Sequence, residues 1–124
     1  MHKLMVIFHQ SGDMTELERQ WSETFVAQAE QMPGLRRVAV SRIGGRLIEQ
    51  TQIHLIHEFF FEDESALRQA LASPEGQAAG EALMRFAARD VTLVMAEHLE
   101  EARGADLDRS GPGGSTAEEG EDDG

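Results

Sequence analysis

Along Ile53 to Glu62, IHLIHEFFFE, apolar residues occupy both registers of a two-residue alternation. Ile53, Leu55, His57, Phe59 and Phe61 fall on one side, and His54, Ile56, Glu58, Phe60 and Glu62 on the other, as successive side chains of a strand must. A strand with one wet face alternates between apolar and polar. This one predicts cover on both faces, by the chain's own helices on one and by a second subunit on the other. Lys3 to Gln10 repeats the pattern, with Leu4, Val6 and Phe8 against Met5, Ile7 and His9. Between these strands, Leu17, Trp21, Phe25, Ala29 and Met32 recur at helical spacing, and Pro33-Gly34 ends the helix. Thr15 with Glu18 predicts a capping box at its start. Leu35 to Ile43 is the most polar strand and is expected at a sheet edge; Gly44-Gly45 ends it, and Arg46 to Gln52 is a polar connection. Asp63 or Ser65 caps a short helix holding Ala66, Leu67, Ala70 and Leu71, and Ser73-Pro74-Glu75 opens another over Ala79, Leu83 and Phe86. Val91 to Leu99 closes the series as a strand. The order strand, helix, strand, strand, helix pair, strand is the split βαβ arrangement of an α+β, ferredoxin-like fold. Right-handed crossovers give the strand order 4-1-3-2 and place Ile53 to Glu62 inside a four-stranded antiparallel sheet.

Composition narrows the setting. The chain has 124 residues and a formal net charge of −12, which disfavours nucleic acid and anionic membrane surfaces as partners. No apolar run approaches the roughly 18 residues that a membrane span needs. The short apolar run in MHKLMVIFHQ ends at His9-Gln10 without a small-residue cleavage site and reads as a strand, so the expected location is the cytoplasm. With no cysteine, disulfides, a thiol nucleophile and Cys-ligated metal are ruled out. From Arg103 onward seven acids stand against two bases, with Leu107 the one large apolar residue. Residues 1–102 are therefore expected to form the domain and 103–124 a disordered acidic tail.

The chain resembles the EthD family, small proteins of the dimeric α/β barrel group named for a component of an ether-degradation system. The resemblance runs through KLMVIF, Trp21, PGLRR (Pro33 to Arg37), HLIHEFFFED (His54 to Asp63), ALASPEGQAAG (Ala70 to Gly80) and VTLVMAE (Val91 to Glu97). It implies a homodimer packed sheet face to sheet face, with a pocket between the first helix and the sheet. Relatives usually carry a histidine four residues after the helix aromatic, followed closely by a proline, and a tyrosine in the first strand. Here Phe25, Ala27 and Phe8 hold those positions. Two functions are implied. One is a small cofactor-independent enzyme or accessory subunit acting on an apolar organic compound by oxidation, cyclisation, dehydration or isomerisation. The other is a non-catalytic binding or chaperone-like dimer, which Phe25 and Phe8 favour.

The candidate chemistry is sparse. His57 shares a side with Leu55, Phe59 and Phe61, and beneath the first helix it would serve as a general acid or base; the alternative is a core histidine bonded to backbone or water. Phe8, Trp21, Phe25 and Phe59 are the candidate pocket walls, or else ordinary core. His9, a second candidate for proton transfer, would lie with His54 and Glu58 on the opposite face. That set resembles a zinc or iron site, or a polar seam between subunits, and no metal is assigned to it. Neither Gly44-Gly45-Arg46 nor Ser11-Gly12 forms a phosphate loop, and the resemblance implies no cofactor. Arg36, Arg37, Arg42 and Arg46 surround the edge strand, either to meet an anionic ligand or to guard the edge with charge.

Overall fold

The computed structural model describes residues 1–45 and 52–103. Arg46 to Thr51 of the expected connection, and all but the first residue of the expected tail, lie outside the described residues. Four strands form one antiparallel sheet: β1 (His2–His9), β2 (Arg37–Arg42), β3 (Ile53–Phe61) and β4 (Val91–Glu97), in the order β2-β3-β1-β4. This is the predicted order read from the other edge, and the fold is α+β and ferredoxin-like. The register places Leu4 opposite Phe59, Val6 opposite His57 and Phe8 opposite Leu55. All six are buried beneath the helices, so the parity read along β1 and β3 holds.

The first helix departs from a plain amphipathic rod. It runs as α1 (Thr15–Gln20), a π-helical turn (Trp21–Phe25) and α2 (Val26–Ala29). The Val26 N–H bonds the Trp21 carbonyl five residues back, so one residue more than an α-turn is wound in here. The capping box expected from Thr15 and Glu18 does not form. The Asp13 carboxylate instead accepts from the Thr15 N–H at 2.9 Å and the Thr15 hydroxyl at 2.7 Å, while Glu18 reaches out to the sheet. Beyond the helix, Gly34 turns the chain at φ 80°, in the left-handed region glycine enters without strain.

α3 (Glu64–Ala72) and α4 (Pro74–Ala87) meet at Ser73. Asp63 caps α3 by accepting from the Ala66 N–H. The Ser73 hydroxyl donates to the Ala70 carbonyl at 2.6 Å and accepts from the Gly76 N–H at 3.0 Å, closing one helix and opening the next. A Cβ on Gly76 would stand 2.1 Å from the Ala70 carbonyl oxygen, so the bend between α3 and α4 requires glycine.

The outer sheet face is covered in part by the chain itself. After β4 the chain turns across it: the His98 ring meets Phe60 edge-on at 4.8 Å, and Glu100 bonds Arg37 of β2 at 3.1 Å. The Arg37 guanidinium lies 4.1 Å over the Phe60 ring, and Phe60 is buried. Met5, Ile7 and Ile56 on that face stay partly exposed. No helix among the described residues is long and apolar enough to cross a membrane.

Candidate functional site

The π turn sends Trp21 and Phe25 down onto β3, where they enclose His57. The Trp21 Nε1–H donates to His57 Nδ1 at 3.1 Å, and the two rings meet edge-on with centroids 5.5 Å apart. Phe25 closes a second side at 5.9 Å, and Phe59, two residues along the same strand face, lies 4.2 Å away. His57 is fully buried, and burial pushes its imidazole down to about 4. The ring is therefore neutral at physiological pH. Since Nδ1 accepts from Trp21, the single proton sits on Nε2, and Nε2 is the one buried side-chain nitrogen or oxygen among the described residues with no hydrogen-bond partner. A buried donor without an acceptor is uncommon in a folded protein and calls for a reason. Chemically this arrangement is a hydrogen-bond donor, or a weak acid, in an aromatic shell. It is poorly set up as a base, because its lone-pair nitrogen is already engaged.

Beside this cluster lies an apolar cavity of about 180 Å³ between α2, α4 and the β1–β4 side of the sheet. Its walls include Leu4, Val6, Phe25, Ala29, Leu83 and Leu93. The helices sit over β1 and β3 and leave the near row of β4 uncovered, so Leu93 is 47% exposed and Met95 40%. Of the four predicted wall residues only Phe25 lines this cavity. Phe8 and Phe59 are fully buried core, with Phe8 stacked on Phe86, and Trp21 holds His57. The α4 walls Gly76, Ala79, Gly80 and Leu83 were missed. Their signal is small residues at helical spacing, which leave room above a sheet without naming a ligand.

The opposite-face trio is not assembled. His9 bonds the Thr92 hydroxyl at 2.7 Å, and Glu58 pairs with Lys3 at 2.7 Å. His54, at the start of β3, reaches the first helix instead, with Nε2 2.6 Å from Glu18 and Nδ1 3.0 Å from the Gln10 side-chain oxygen. Glu18 also accepts from Arg42 at 2.8 Å, and the guanidinium beside it holds its carboxyl below the usual carboxylate range. No group of three or more histidines and acids among the described residues is placed to hold a metal ion. Arg36 pairs with Glu62, Arg37 with Glu100 and Arg42 with Glu18, so these three edge arginines are engaged within the chain.

No protein-family model matches the chain. It is similar to the crystal structure of an ethyl tert-butyl ether (EthD) family protein from Bacillus halodurans C-125. The identity is 30%, over 80% of this chain and 99% of that one, with a TM-score of 0.75. It is 24% identical to an uncharacterised 11.0 kDa protein of the thcB–thcC intergenic region of Rhodococcus erythropolis, over 78% of this chain and 94% of that protein. A cofactor-independent oxygenase from Streptomyces nogalater shares the fold at 18% identity and a TM-score of 0.60, over 82% of this chain and 96% of that one.

Proposed function

The chain belongs to the EthD family, and on that footing we propose that it takes up a small apolar organic compound in the cavity beneath its first helix, as a cofactor-independent enzyme or accessory subunit. The observation that carries this reading is the pairing of an apolar cavity with one neutral, buried histidine whose Nε2–H lacks an acceptor. Catalysis of oxidation, cyclisation, dehydration or isomerisation would use the His57 Nε2–H as a hydrogen-bond donor or weak acid toward the reacting oxygen. A purely binding or chaperone-like role is the second reading, favoured by Phe25, an apolar ring between His57 and the cavity. The working unit in either case is a homodimer joined through the outer sheet faces, supported by the partly exposed Met5, Ile7 and Ile56. Because residues 98–100 already cover Phe60, the shared surface centres on the β1 and β3 residues beyond that strap.

A panel of aromatic and polyketide-like compounds tests this. Trp21 is the chain's single tryptophan and touches His57, so binding is read from its fluorescence. We expect at least one compound to quench it saturably; a panel that leaves Trp21 unmoved overturns the cavity reading. Product detected by mass spectrometry distinguishes the enzyme from the binder. Light scattering at micromolar protein should give about twice the mass of one chain, and a stable monomer there would remove the dimer.

A further inference from the structure

The geometry points to Phe25 as a gate between the apolar cavity and His57, and to a ligand made of an apolar ring skeleton with one hydrogen-bond-accepting oxygen, such as an aryl ketone. The inference rests on the cavity reading above and names the ligand class for that same site.

Phe25 belongs to both compartments. Its ring meets His57 and Phe59, at 5.9 Å and 6.0 Å, and Phe25 also lines the cavity. Val6, also a wall residue, is the register partner of His57 on the neighbouring strand. The cavity and the imidazole are therefore neighbours across one strand spacing, about 5 Å, with the Phe25 ring as the partition. Phe25 is also the last residue of the π turn, where the α-helical ladder is interrupted. Such turns recur at functional sites.

The chemistry behind the partition selects the ligand. Trp21 occupies Nδ1, so what His57 offers is an N–H donor, matched by an acceptor oxygen. Among the described residues the cavity walls carry no charged side chain, and an unpaired carboxylate or ammonium there would meet a large desolvation cost. A neutral ketone satisfies the orphan donor without bringing a charge. With Phe25 in its present place a ligand fills only the outer cavity; with the ring turned aside its oxygen reaches Nε2–H.

The test compares 1-indanone with indane, two probes of nearly equal shape that differ by one acceptor oxygen, on the full chain with nitrogen-15-labelled histidine. The His57 imidazole signals are assigned through the Trp21 indole proton, which needs no variant. We expect indanone to shift the His57 Nε2–H resonance and indane to bind without shifting it. Phe25→Leu should tighten indanone about tenfold more than indane, the scale of one satisfied buried donor. If both probes perturb the Leu83 and Leu93 methyls and neither moves His57, the gate fails while the cavity reading stands. If neither probe binds at millimolar concentration, both fail.

Discussion

His54 and His57 stand three residues apart on one strand and live in opposite chemical worlds. His54 sits at the rim, partly exposed, between two oxygens. The Gln10 amide nitrogen donates to the Gly12 carbonyl at 2.8 Å, which turns the Gln10 oxygen toward His54 Nδ1, and Glu18 takes Nε2. Both ring nitrogens of His54 therefore have a polar partner. His57 has a donor on one nitrogen and nothing on the other, within aromatic rings that hold it neutral. The residue type is the same; its neighbours make one ring a surface tie between helix and sheet and the other an interior donor. A histidine in a sequence therefore carries little functional information until its partners are known, and a spacing of three along a strand says mainly that the two will differ.

Removing each ring in turn is the harshest way to test that contrast. His57→Ala should cost roughly 3–5 kcal/mol, since it empties a fully buried site and strands the Trp21 N–H. His54→Ala should cost at most about 1 kcal/mol, the scale of a partly exposed polar contact. Equal losses in urea unfolding would erase the distinction.

Acid gives the next largest effect. His57 holds its proton more weakly when folded, at about 4, than at its ordinary 6.5, so the unfolded chain binds more protons between those values. Its contribution to stability is complete above about pH 6.5 and is lost as pH falls toward 4. Between pH 7 and about pH 4.5 the loss should be about 2–3 kcal/mol. In His57→Phe that part of the slope should vanish, while His54→Gln should keep it.

The smallest effect refines the picture of the donor. Trp21→Phe removes the hydrogen bond to Nδ1 and should cost about 1–2 kcal/mol. It also frees the tautomer, so the nitrogen-15 spectrum of His57 should move from a single Nε2–H form toward a mixture. An unchanged spectrum would mean that something other than Trp21 sets the proton.

Much of the fold can be read from the chain because burial on two faces leaves a distinctive record. The doubly apolar β1 and β3, the polar edge β2 and the Ser73-Pro74-Glu75 start of α4 all appear where local chemistry puts them. The π turn escapes such reading: the stripe Leu17, Trp21, Phe25, Ala29 has the spacing of an ordinary helix, and the extra residue shows only in the Val26 to Trp21 hydrogen bond. His57 could be placed under the first helix from strand parity alone. Its tautomer, its orphan nitrogen and the partnership of His54 with Glu18 depend on contacts between residues 36 apart in sequence, which no local pattern encodes. Part of the cover over Phe60 is hidden from the sequence for a similar reason. Beside the second subunit expected on that face, residues 98–100 of the same chain supply a share of it.

Gly76 bears on how a saturation mutagenesis map of this protein would look. Its missing Cβ is what lets the α4 backbone pass against the Ala70 carbonyl, so every other residue there collides with backbone rather than with a movable side chain. Such a map would mark Gly76 as intolerant as sharply as any reactive group. Two very different demands, a helix bend with no room for one carbon and a buried donor awaiting an oxygen, would leave the same footprint in a count of surviving variants. What separates them is that ligand rescues only the second.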